Sequence, residues 1–136
     1  MLMNTIQSDY LFVYGSLRRA ASPMHDMLAQ ASQYIGEGVL QGRLYEISWY
    51  PGVVESSHPE DKVIGELYQI IDKDIWQRLD EYEACSDNFP QPHEYIRKQC
   101  WIQQANADSV KAWVYVFNHA LDGHRRIHSG DYLQTE

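Results

Sequence analysis

Glu83 is an acid at a position where helical geometry points inward. Residues 72–83 read as a short amphipathic helix opened by an Asp cap. At about 100° per residue, Ile75, Trp76, Leu79 and Tyr82 share one face. Glu81 turns toward water, Asp80 sits just outside the margin, and Glu83 falls between Leu79 and Trp76, inside the apolar arc. A carboxyl pressed toward a core loses hydration, and its pKa climbs toward neutrality. A Glu in that condition can take up and return a proton near pH 7. The same position also lies near the helix end, where the chain frays and a long side chain can reach water. The arc alone therefore does not make Glu83 catalytic.

A second candidate is the turn after Tyr10-Leu11-Phe12-Val13-Tyr14, which continues as Gly15-Ser16-Leu17-Arg18. A strand ending in Gly-Ser leaves backbone N–H groups without ladder partners, able to bind a carboxylate or stabilise an oxyanion. An ordinary strand-ending turn has the same composition. Neither GxxxxGKS/T nor GxGxxG occurs, so this is no nucleotide loop, and Ser16 lacks the GxSxG frame of a serine hydrolase. Tyr95 and Arg97 lie two apart, which on a strand aims both to one side. Arg97 there either clamps a substrate carboxylate or pairs with a structural acid, and the spacing leaves both open. His124 and His128 have the spacing of helical metal ligands. Gly123 and Gly130 bracket them and no third ligand is in register, so no metal is expected. Cys85 and Cys100 match no CxxC spacing, and a reduced pair is expected rather than a bridge.

Composition narrows the class. The 136 residues suffice for one domain with a modest core, and 44% hydrophobic and 12% aromatic content is that of a folded chain. A net charge of −8 disfavours nucleic acid and anionic membranes as partners. Arg18-Arg19 and Arg125-Arg126 are isolated basic pairs, of the kind usually found on a solvated surface. No apolar run approaches the roughly 20 residues of a membrane span. Residues 1–9 carry neither a basic leader nor a long apolar stretch, so a cytoplasmic location is expected. Oligomeric state is not legible.

The elements that must position these residues are mostly strands. Tyr10 to Tyr14 reads as a buried strand and Met24 to Ala31 as a short helix. Tyr34 to Ile47 is strand-like, with Gly36, Gly38 and Gly42 spaced for bulges or sharp bends. Tyr50-Pro51-Gly52 is a turn signal before a short extended piece at Val53-Val54. Val63 to Ile71 leads into the Glu83 helix, Cys85 to His93 is irregular, and strands follow at Tyr95–Ile102 and Val110–Phe117. The stretch from His119 to Glu136 is polar and weakly patterned. Most connections are too short for parallel crossovers. The expected fold is α+β: a small, curved, mixed or antiparallel β-barrel flanked by short helices, one domain over residues 1–136 with its core at about 10–132.

Several stretches in this order resemble the γ-glutamylcyclotransferase-like superfamily, also called the avirulence-induced-gene-like family, in its bacterial small-domain branch. They are Phe12-Val13-Tyr14-Gly15-Ser16-Leu17-Arg18, Gly42-Arg43-Leu44-Tyr45 with Tyr50-Pro51-Gly52-Val53-Val54, and Val63-Ile64-Gly65-Glu66-Leu67-Tyr68. Leu79-Asp80-Glu81-Tyr82-Glu83, Tyr95-Ile96-Arg97, Ala112-Trp113-Val114-Tyr115-Val116 and Ile127-His128-Ser129-Gly130-Asp131-Tyr132 complete the set. The likeness runs from about Tyr10 to Tyr132.

The resemblance implies a barrel with a cavity rimmed by the Tyr-Gly-Ser-Leu turn, and a catalytic glutamate closing an LDxxEG motif, which falls on Glu83. Ala84 stands where that motif has glycine. If the glycine ends the helix at positive φ, Ala84 costs roughly 1 kcal/mol or shifts the helix end. The implied reaction cyclises a γ-glutamyl amine or γ-glutamyl amino acid to 5-oxoproline without a cofactor. Its partner is a small γ-glutamyl molecule, bound at Tyr14, Gly15, Ser16, Leu17, Tyr95 and Tyr115. The alternative on the same fold is a non-catalytic domain that binds a small ligand.

Overall fold

Strand alternation sends successive side chains to opposite faces of a sheet, and here both faces are used. The computed structural model describes residues 9–15, 23–83, 89–106 and 108–134. In chain order the elements are β1 (Tyr10–Val13), α1 (Pro23–Ala31), β2 (Ser32–Glu46), β3 (Pro51–Glu55) and β4 (Lys62–Ile70). They continue as α2 (Ile75–Tyr82), β5 (Tyr95–Gln104), β6 (Ser109–Phe117), β7 (Arg125–Ile127) and a 3-10 turn at Tyr132–Gln134.

The order β2-β4-β1-β6-β5 closes on itself, because β2 also pairs β5 through Gly38–Gln104 to Leu40–Ile102. All pairings are antiparallel except β1–β6, where Leu11 lies opposite Trp113 in parallel. The result is the expected mixed barrel, with two short helices. The second half of β2 leaves the barrel and carries β3 and β7 on its two edges.

The inward positions Phe12, Leu40, Val63, Leu67, Ile102, Ala112 and Val114 fill the barrel. The opposite face of the same strands supplies Leu11, Val13, Tyr68, Ile70, Tyr115 and Phe117, which pack with Met24 and Leu28 of α1 and Ile75 and Leu79 of α2. Double burial explains why β1 and β6 read as continuous apolar runs rather than alternating ones. Gly65 makes the interior possible: a Cβ there would stand 2.3 Å from the Val13 carbonyl oxygen and 2.6 Å from the Phe12 ring. On β5 the shared face of Tyr95, Arg97, Gln99 and Trp101 is buried only at its start. Tyr95 is 4% exposed and Trp101, at the far end, 63%.

Four sequence expectations need correction. The helix begins at Ile75 rather than Asp72, because the Asp72 carboxylate accepts the Asp74 N–H at 3.1 Å in a turn of its own. Asp74 then holds the cap position with no side-chain cap bond, and Tyr82 is 43% exposed rather than part of the buried face. The polar C-terminal stretch is not featureless: Ile127, 1% exposed, pairs opposite Leu44 in β7. His124 and His128 flank that short strand, so their spacing carries no helical meaning.

Nor is the Arg125-Arg126 pair simply solvated. Arg125 faces Glu46, and Arg126 reaches the buried Asp61 at 2.9 Å. Asp61 also accepts hydrogen bonds from Ser56 Oγ at 2.6 Å and Arg43 Nε at 2.7 Å. Those donors hold its carboxyl well below the usual carboxylate range.

Candidate active site

The site forms where β1 ends and α2 ends. Beyond Val13 the chain leaves the sheet through Tyr14, 6% exposed, whose hydroxyl donates to the Tyr115 carbonyl. Gly15 follows against Pro51; a Cβ at this position would stand 2.9 Å from Pro51 Cγ, so the turn can approach β3 this closely only with glycine. Tyr95, the first residue of β5, reaches the same strand by donating its hydroxyl to the Pro51 carbonyl.

The acid arrives on the last turn of α2. Leu79 is fully buried and anchors the helix, and the Glu83 N–H still donates to the Leu79 carbonyl at 2.9 Å. Glu83 is thus the residue that closes the helix, at φ −88° and ψ 6°, where the chain turns out of helical geometry just beyond Tyr82. Asp80, one turn earlier, fastens this end to the barrel. It accepts two hydrogen bonds from Arg97, at 2.9 and 3.1 Å, and one from the Tyr115 hydroxyl at 2.7 Å. The Arg97 guanidinium lies over the rings of both Trp76 and Trp113, 4.6 and 4.8 Å from their centroids, in the corner these two edge-on rings form. Of the two roles open to Arg97 in the sequence, the structure shows pairing with a helical acid.

These parts enclose a cavity of about 170 Å³. Glu83, Tyr14, Gly15, Tyr95 and Tyr115 all line it, so five of the seven sequence candidates meet at one place. Ser16 and Leu17 lie outside the described residues, as do Ala84, Cys85 and the Arg18-Arg19 pair. Cys100 is a buried free thiol in the barrel interior. Sequence reasoning missed the other wall, formed by Trp49, Tyr50, Pro51, Tyr82 and Glu94. Tyr50 and Pro51 lay in a recognised turn, but nothing local marked Glu94.

The electrostatics set Glu83 apart. Burial, then the negative charges of Glu94 and Asp80, push its pKa up to about 8. Burial likewise raises the Tyr14 and Tyr95 hydroxyls well above their ordinary value, and it raises Tyr50 to about 12 with help from its Glu94 hydrogen bond. The three phenols therefore remain protonated donors near neutral pH, while Glu83 can exchange a proton. Among the described residues no three His, Cys, Asp or Glu side chains converge as a metal site requires, and no helix is long and apolar enough to cross a membrane.

Known proteins resemble this chain in sequence and fold. The γ-glutamylcyclotransferase family protein YtfP of Escherichia coli is 32% identical over 127 residues, 93% of this chain and 97% of its own. Its solution structure superimposes with a TM-score of 0.64, covering 92% of this chain and 96% of that one. A Vibrio cholerae relative is 33% identical over 126 residues, 91% of this chain and 95% of its own. The crystal structure of YkqA from Bacillus subtilis matches at 27% identity and a TM-score of 0.68, over 93% of this chain but 40% of that longer one. Residues 11–134 match the family described as gamma-glutamyl cyclotransferase, AIG2-like, and the chain belongs to that family.

Proposed function

We propose that the protein cyclises a γ-glutamyl amine or γ-glutamyl amino acid to 5-oxoproline and free amine, with Glu83 as general acid/base. The observation that carries this reading is the Glu83 carboxyl, poised at a pKa of about 8 in a small cavity shared with Gly15. At about 170 Å³ the cavity is smaller than the roughly 300–1,000 Å³ of drug-sized sites, and suits a compact acyl group.

The substrate α-amine enters as an ammonium, which cannot attack. A peptide α-ammonium titrates near pH ~8, and the neighbouring α-carboxylate raises that of a γ-glutamyl group above it, so the proton crosses to Glu83 at a modest cost in free energy. Arrival of the cation also favours the carboxylate form of Glu83, which readies it as the base. The freed nitrogen attacks the γ-carbonyl carbon and a C–N bond closes the five-membered ring. The C–N bond to the leaving amine breaks as Glu83 returns the proton to that nitrogen. Glu83 then takes the second proton from the new ring nitrogen and passes it to the departing amine, which leaves as an ammonium while Glu83 returns to its carboxylate form.

Both reactants belong to one molecule, so holding the chain folded supplies much of the acceleration. Tyr14, Tyr95 and Tyr115 are the rigid walls that do so, their hydroxyls already committed to Tyr115, Pro51 and Asp80. Backbone N–H groups of Gly15, Ser16 and Leu17 are assigned to the substrate α-carboxylate or the γ-carbonyl oxygen. A panel of γ-glutamyl amines and amino acids, with 5-oxoproline measured by chromatography, tests the reading. Turnover by the parent is the expected result. Binding without any 5-oxoproline would instead identify a ligand-binding domain.

A further inference from the structure

One wall of the cavity has a chemistry that the cyclisation step leaves unused. Trp49 stands edge-on to Tyr50 with ring centroids 5.0 Å apart, and Tyr50 lies 6.2 Å from Tyr95. The three rings run from solvent to the cavity floor, Trp49 being 77% exposed and Tyr95 4%. Glu94 is fixed beside them, its Oε2 accepting the Tyr50 hydroxyl at 2.6 Å. A carboxylate engaged at one oxygen keeps lone pairs for a ligand.

Among the described residues that line this cavity none is Lys, Arg or His. Ring faces beside a carboxylate attract a cation. A leaving group with its own carboxylate meets Glu94 as a like charge, and such a juxtaposition discriminates against it. The net charge of −8 steers encounters in the same sense.

Resting on the cyclotransferase reading of the site, we propose that this aromatic wall and Glu94 form a subsite for a cationic leaving amine. The preferred substrate is then a mono-γ-glutamyl diamine, and Glu94 is the residue that sets the specificity. The distal ammonium sits against Glu94 and the rings of Trp49 and Tyr50 and keeps its proton throughout. Only the nitrogen bonded to the γ-carbonyl departs.

The experiment compares γ-glutamyl-1,4-diaminobutane, γ-glutamylbutylamine and a γ-glutamyl α-amino acid with the parent protein and two variants. The parent should favour the diamine over butylamine by about tenfold or more in kcat/KM, chiefly through KM, as a charge-assisted contact plus a cation–π contact provides. The amino acid should rank last. Glu94→Gln should collapse the diamine-to-butylamine ratio toward one, and Tyr50→Phe, which frees Glu94 from its hydrogen bond, should lower it in part. The parent's ratio should also fall with added salt.

A ratio near one in the parent overturns the proposal. So does a ratio that survives Glu94→Gln because both compounds slow equally, for Glu94 then holds the α-ammonium common to all substrates. Calorimetric binding of the same compounds to the parent separates this proposal from the reaction beneath it. Tighter binding of the diamine with no 5-oxoproline formed upholds the subsite and rejects the cyclisation; equal binding of diamine and butylamine rejects the subsite.

Discussion

Asp61 and Glu83 are both carboxylates withdrawn from water, and their surroundings are opposite. Around Asp61 the fold gathers Ser56, Arg43 and Arg126, and the carboxyl is held ionised. Around Glu83 it gathers aromatic rings, Asp80 and Glu94, and the carboxyl is pushed up to about 8. Asp80 shows that a cation was within reach of α2, but Arg97 is spent on Asp80, where it ties the helix to β5 and β6. The contrast separates two uses of a buried acid. Where a charge fastens strands together, cations satisfy it; where a proton has to move, cations are kept away and the acid keeps its proton affinity.

The largest effect should come from breaking the Glu83 side of this pair. Glu83→Gln keeps shape and hydrogen-bonding capacity but cannot take a proton from an ammonium. Turnover should fall by about 10²–10⁴-fold, the usual loss for a general acid/base, while the circular dichroism spectrum is retained. Full activity in the variant would move the proton transfer to another residue. Asp61→Asn breaks the other side. The amide leaves Arg43 and Arg126 without their counter-charge, so thermal unfolding should shift clearly downward. Per-molecule activity below that transition should be preserved, because Asp61 does not line the cavity.

The pH dependence of stability sharpens the comparison, because the two acids act with opposite sign. Glu83 binds its proton more tightly when folded. Its contribution is fully present below its ordinary value of 4.5 and is lost as pH rises toward about 8. The slope approaches about 1.4 kcal/mol per pH unit within that window. Asp61 is lowered instead, so its contribution is present above its ordinary value of 3.8 and is lost as pH falls below it. Urea unfolding across pH should show the downward slope above 4.5 in the parent and a flatter profile in Glu83→Gln. Activity should run the other way, with kcat/KM rising through Glu83's titration. The proton that steadies the fold has to leave before the base can act.

Arg97→Lys comes next in size. Lysine retains the charge but neither the paired hydrogen bonds to Asp80 nor the planar contacts with the rings of Trp76 and Trp113. A loss of roughly 1–2 kcal/mol in stability is expected from those contacts. Because the clamp holds the end of α2 that carries Glu83, kcat should fall more than KM changes. A rise in KM alone would make Arg97 a substrate ligand.

How far these features could be read in the sequence follows from the range of the interactions that make them. The apolar runs of β1 and β6 were legible because both faces of each strand are buried, and the inward lean of Glu83 because it depends only on its own helix. The Asp61 cluster was hidden: Arg126 joins an acid 65 positions away, and β7 is a three-residue strand with two arginines. Glu94 was hidden for the same reason, since the ring that places it, Tyr50, is 44 positions distant. A helix announces its own face; a long-range pair announces nothing in either partner's neighbourhood.

Glu81→Gln should have the smallest effect, and it isolates burial from proximity. Glu81 lies two positions from Glu83 on the same helix end, but it is exposed and does not line the cavity. If Glu83 owes its proton affinity chiefly to lost hydration, removing a solvated charge nearby changes little, because water and salt screen it. Stability should stay within about 0.5 kcal/mol of the parent, the usual range for surface changes, and kcat/KM within about twofold, as a screened charge permits. If Glu81→Gln instead moved the acid limb of the pH–rate profile markedly downward, the crowd of negative charge on α2, rather than burial in the cavity wall, would be what holds the proton on Glu83.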